Sequence, residues 1–277
     1  MTDLSFIELS VRAALNTARA YLFAGFVCKV ACRLRPYETR PGATDRAVAE
    51  ALAVITDAFA TGRRTGASLG RAMAFFDAVP TAPGRRPGVA IFGDLCVCDN
   101  DTFNQGLLRA IEEAGGEVVI TPSADLARIV AEACRRRWRL AGMWQDLVVF
   151  GTLYRLLDRM ARRYHRHVAR FLGPYRPIDF GGSAGFLARF GVRAEHSGES
   201  FENLLKIFHV AKEHPDLRLF VQASPAFCCP SLVTEAMARD IQRATGVPVV
   251  SLTHDGTGRR CNEAIVPYLK FSRALDG

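Results

Sequence analysis

Five of the eight cysteines in this 277-residue chain, Cys96, Cys98, Cys228, Cys229 and Cys261, fall just after short apolar runs of strand character and just before helical patterns. In a parallel sheet such strand-exit loops share one edge, so thiols far apart in sequence meet there. Thiolate sulfur suits zinc, copper(I) and iron–sulfur clusters, whereas calcium and magnesium take oxygen. Zinc sites usually show two close ligand pairs, and the chain has no C-x-x-C. Dispersed single ligands therefore favour a cluster, with Cys98, Cys228 and Cys229 as the candidate metal ligands. Cys228 and Cys229 stand directly before Pro230, which suits the first turn of a helix expected over Ser231–Thr245. A helix N-terminus stabilises thiolate and any anionic group it holds.

Each candidate has a plainer alternative. Free cysteine is a small, commonly buried hydrophobe, and Cys96 and Cys98 share one face of an extended segment by period two. Cys28 and Cys32 lie at i, i+4 on one helix face, as core packing or half a site; Cys134 and Cys261 read as packing. His196, Ser197 and Glu199 are close in sequence, but no G-x-S-x-G elbow follows a strand, which argues against a hydrolase. Gly181-Gly182-Ser183-Ala184-Gly185 lacks the lysine of a phosphate-binding loop, and Asp255-Gly256-Thr257-Gly258 reads as a tight turn. His165 and His167 sit on a basic helix and read as solvated.

These residues need a scaffold, and the pattern supplies one. Helices are expected over Leu9–Leu34, Thr44–Ala60 and Ala67–Ala78, forming a helical N-terminal section, residues 1–79. A proline-rich linker, Val79–Pro87, leads into a parallel-sheet α/β domain, residues 80–277. Its strands are expected at Val89–Phe92, Glu117–Thr121, Leu217–Val221 and Val247–Leu252. Asp101 is expected to cap a helix carrying Phe103, Leu107 and Ile111, Ser200 to cap the next, and Glu263–Leu275 to close the chain. Residues 123–171 form a helical insertion with breaks near Gly142 and Gly151.

Composition narrows the class. The chain is 49% hydrophobic and 23% charged, enough apolar material for a core. The net charge of +8 rests on arginine, since the only lysines are Lys29, Lys206, Lys212 and Lys270. Without aromatic interleaving or a recognition motif, these charges suit a solvated helix face, an acidic partner or a phosphorylated ligand such as coenzyme A, and not nucleic acid. Arg19, Lys29 and Arg33 interrupt the longest apolar run, so no membrane span is expected, and Thr2-Asp3-Leu4 gives no leader-like start. The expected compartment is cytoplasmic, with cysteines as thiols or ligands and not disulfides.

The runs ACRLRPYETRPGATD, GDLCVCDNDTFNQGLLRAIEEAGGEVV, HSGESFENLLKIFH, FVQASPAFCCPSLVTEAM and THDGTGRRCNEAIVPYLK resemble, in this order, the C-terminal region of proteins related to 2-hydroxyacyl-CoA dehydratases and their activators. The resemblance covers about Ala31 to Lys270. It implies a Rossmann-like α/β fold around a cysteine-bound [4Fe–4S] cluster that is reduced by an ATP-dependent activator protein and serves CoA thioesters. By motif it carries over Cys98 in the Asp-Asn-Asp loop and Cys228 or Cys229 in the Cys-Cys-Pro loop. The chain has no recognisable nucleotide-binding motif, so ATP hydrolysis would belong to a separate subunit. The expectation is an iron–sulfur subunit in low-potential electron transfer, working as a homodimer or in a heteromeric complex. From a different class, the alternative is a non-catalytic scaffold that kept the fold and lost the cluster.

Overall fold

Strand β1 (Gly88–Gly93) shows how the sequence builds the sheet: Val89 and Ile91 enter one core while Ala90 and Phe92 enter the other, the period-two signature of a strand covered on both faces. The computed structural model describes residues 11–62, 65–121, 123–193, 196, 198–258 and 260–274. The leader reading at Thr2–Leu4 and the candidate Ser197 lie outside them.

Before β1 come helices α1 (Val11–Leu34), α2 (Ala43–Ala60) and α3 (Thr65–Asp77). After it follow α4 (Leu95–Asp99), α5 (Leu107–Glu113) and strand β2 (Glu117–Val119). The insertion holds α6 (Ser123–Leu140), α7 (Trp144–His165) and α8 (Ala169–Leu172). Then come α9 (Ser183–Ala188), α10 (Glu199–Glu213) and strand β3 (Leu217–Pro225). The chain continues with α11 (Cys229–Ala236), α12 (Ala238–Thr245) and strand β4 (Val249–His254). A 3-10 turn (Cys261–Ile265) and α13 (Val266–Ala274) complete the described chain. This is the α/β, Rossmann-like arrangement expected, with a helical N-terminal section.

All four strands are parallel in the order β2-β1-β3-β4. The chain leaves β1 toward β2 on one side and returns to β3 on the other, so the switch point lies between β1 and β3. Between Leu217 and Leu219 the β1–β3 register shifts by one residue. Leu217 therefore joins Phe220 in one core while Leu219, Val221 and Ala223 face the other.

Three cores result. One sheet face packs under α4, α5 and the Cys32 end of α1; the opposite face packs under α9, α10 and α12. The third is purely helical and joins α1, α2 and α3 to Ala161, Tyr164 and Val168 from the insertion. No helix among the described residues is long and apolar enough to cross a membrane.

Several boundaries differ from expectation for local reasons. Asp101 does not cap a helix; Asn104, fully buried, accepts from Leu107 N at 3.0 Å and delays α5 to Leu107. Ser200 lies inside α10 and donates to Pro230 O. Gly142, at φ +68°, breaks the insertion, whereas Gly151 continues α7. The single helix expected over Ser231–Thr245 is two, with Met237 between them. Strand β3 runs four residues beyond Val221, and β4 two beyond Leu252.

Candidate functional site

The loops leaving β1, β3 and β4 are laced together by main chain: Asp94 N donates to Ala223 O at 3.0 Å and Ala226 N to His254 O at 3.2 Å. One sheet edge thus carries Cys96, Cys98, Cys228, Cys229 and Cys261, as the parallel topology requires. Gly93 permits the closest approach. At φ +120° a Cβ there would stand 2.3 Å from Ala223 O, so only glycine lets β1 turn into its loop against β3.

After that turn, Asp94 caps α4 by accepting from Val97 N at 3.0 Å, and the helix drives Cys98 inward. Cys98 is 7% exposed among Leu107, Ile111, Val221 and Leu252. Burial pushes its thiol up to about 11, and the charge of Lys206 on α10 offsets only part of that. In this fold Cys98 is a packed, protonated thiol. Its neighbour Cys96 is exposed.

Cys228 and Cys229 are placed by a buried amide. Gln222, fully buried on β3, donates to Ser231 O at 2.7 Å and accepts from Thr234 Oγ1 at 3.0 Å, which seats α11 over the strand end. Cys228 is the half-buried N-cap and Cys229 the exposed first residue, followed by Pro230. Before them Phe227 has φ +63° and is 92% exposed. A bulky residue held at positive φ with its ring in solvent is a strained feature of the kind that collects at binding sites.

Cys261, which sequence reasoning assigned to packing, has a specific partner. Its Sγ lies 3.4 Å from Nδ1 of His254, the last residue of β4. The two are seven residues apart across the Asp255–Gly258 turn, where Asp255 accepts from Thr257 N and Oγ1. The only sequence signal was a histidine at a strand end with a cysteine after a tight turn.

Beside the β1 exit lies a cavity of 570 Å³ between α1, α4, α6 and α7. Tyr21, Leu22, Leu95, Phe103, Leu157 and Met160 give it apolar walls, Cys96 stands in the wall, and Asp125 and Arg128 supply charge. Arg128 is 5% exposed; it donates to Asp158 Oδ1 at 2.6 Å and Tyr175 OH at 3.0 Å, while its Nε is buried without a partner. Burial raises the Asp125 carboxyl, but its ion pair with Lys29 and the nearby Arg128 outweigh this and hold it below the usual range. An apolar pocket with a few convergent polar groups suits a largely apolar ligand bearing one hydrogen-bond acceptor.

The remaining candidates take structural roles. Cys28 and Cys32 interact on α1 beside the sheet core, and Cys134 is half-buried. His165 Nε2 contacts Gly173 O at 2.8 Å and is not simply solvated. The Gly181–Gly185 run starts α9, with Ser183 buried against Arg136. Arg135 and Arg136 both pair with Glu132, so part of the basic face neutralises itself.

Among the described residues no group of three or more histidine, cysteine, aspartate or glutamate side chains is placed to hold a metal ion together. Cys228 and Cys229 fit a ligand role by exposure and by their place at the start of α11; Cys98 would have to leave its core. Comparison with protein-family models, curated proteins and solved structures finds no match to this chain.

Proposed function

We propose that this chain is an iron–sulfur subunit of a system related to 2-hydroxyacyl-CoA dehydratases, contributing thiolates at its strand-exit edge to a [4Fe–4S] cluster completed by a second chain. The observation that supports this reading is that Cys228 and Cys229, at the β3 exit, share a sheet edge with the β1-exit segment, whose Cys96 stands in the wall of an apolar cavity. The cluster would supply low-potential one-electron chemistry. The protein would tune it through burial and main-chain N–H donors. The cavity fits the acyl part of a CoA thioester, with Arg128 among the charged residues of its wall.

A cubane normally takes three or four thiolates, and this edge offers two beside each other, so oligomerisation has to complete the set. Cluster content should rise with dimer or heteromer formation. The test combines anaerobic reconstitution, iron and sulfide analysis and sedimentation. An oligomer that takes up no iron would overturn the cluster reading. The packed position of Cys98 favours the second reading in that event, a scaffold subunit on the same fold.

A further inference from the structure

We infer that Cys261 and His254 form a nucleophile–base pair that accepts acyl groups from thioesters, separate from any cluster ligand set. The distance of 3.4 Å between Cys261 Sγ and His254 Nδ1 is hydrogen-bond contact for sulfur, so the imidazole is in place to take the thiol proton. His254 is 7% exposed and its Nε2 is buried, and among the described residues only the thiol engages the ring's polar atoms. A histidine fixed this way at the end of a strand is a built feature and not a surface coincidence. Cys261 is itself partly exposed, within reach of an incoming carbonyl.

The loop is organised around the pair. Asn262 Nδ2 donates to Asn104 O at 2.9 Å and to Gln105 O at 3.1 Å, tying the start of the 3-10 turn to the segment before α5. Gln105, held at φ +55°, brings Oε1 to 3.8 Å from Cys261 Sγ. The thiol therefore has the His254 imidazole on hand as base, with the amide oxygens of Gln105 and Asn262 at 3.8 Å and 3.7 Å.

The resting state of the pair is compatible with attack on a carbonyl. Burial raises the Cys261 thiol and lowers the His254 imidazole, so the resting pair is neutral thiol and neutral imidazole. Attack on a carbonyl needs no standing thiolate, only one that forms as the base takes the proton. In the transfer, the Cys261 S–H proton passes to His254 Nδ1 as Sγ bonds the thioester carbonyl carbon. The carbon–sulfur bond of the donor breaks, and its departing thiolate takes the proton back from His254. Nothing is oxidised or reduced.

The experiment offers acetyl-CoA to the iron-free, reduced full-length chain and maps acetylated cysteines by mass spectrometry after an acid quench. Cys229 and Cys96, both more exposed, are the internal controls. Acetylation at Cys261 ahead of both is expected in the wild-type chain, with no variant needed. His254→Gln should slow labelling of Cys261 by about a hundredfold, the low end for a lost general base, and leave Cys229 unchanged. Labelling that follows exposure, with Cys229 first, overturns the proposal, as does a Cys261 rate unaffected in a folded His254→Gln chain. Since no iron is present, either result leaves the cluster reading untouched.

Discussion

Cys98 and Cys228 were equivalent by residue type and by place in the pattern, and their surroundings separate them. Cys98 is driven into the core by a helix of five residues, so its ionisation is opposed by burial. Its folded value of about 11 exceeds the ordinary thiol value. The linkage sign follows: the stabilisation is complete below the ordinary thiol range and is lost as pH rises toward about 11. The wild-type chain should therefore lose about 2 kcal/mol more than Cys98→Val between pH 8 and pH 11, read by urea unfolding under reducing conditions. Equal losses in the two chains would show that the Cys98 thiol is not desolvated. The Cys261–His254 pair illustrates the opposite limit of the residue scale, since neither residue announces the other in sequence and a turn brings them together.

At the scale of elements, the sheet was legible because each strand is an apolar run whose alternation must serve two covered faces. Val89 and Ile91 against Ala90 and Phe92 leave no other register. The edge holding the thiols follows from parallel topology, which is why the strand-exit cysteines were placed correctly as a group. Which of them turns inward was not legible. That depends on Asp94, one residue before α4, whose capping bond sets the phase of a single short turn. The late start of α5 depends likewise on a single contact, Asn104 to Leu107 N. Gly93 is the element-scale feature with the sharpest consequence. Because a Cβ there meets backbone and not a movable side chain, Gly93→Ala should destabilise the chain by about 3 kcal/mol or more, measured by thermal or urea unfolding. An alanine variant within 1 kcal/mol of wild type would mean that the β1–β3 approach relaxes freely.

The molecule as a whole is held together across its cavity by charge as well as by packing. Lys29 on α1 pairs with Asp125 on α6; Arg128, one turn on, pairs with Asp158 on α7 and with Tyr175 beyond α8. This chain of ionic contacts links the helical section, the insertion and the cavity. It was invisible in the sequence because its members are spread over nearly 150 positions with no periodicity to connect them. Removing Asp158 leaves the Arg128 guanidinium, 6% exposed, without its nearest carboxylate. Asp158→Ala should cost about 3 kcal/mol, the low end for a broken buried pair, since Asp125 still stands 3.8 Å from the guanidinium. Replacing both members with apolar groups removes the stranded charge, so Arg128→Met with Asp158→Leu should recover most of that loss in urea unfolding. A double variant no more stable than Asp158→Ala would show that the network's role lies in packing of the arginine stem and not in charge. Should the double variant keep its stability, it also isolates the Arg128–Asp158 pair for ligand work. Any loss of binding of the thioester proposed for the cavity, read by titration calorimetry, then belongs to the missing Arg128–Asp158 pair and not to a collapsed fold.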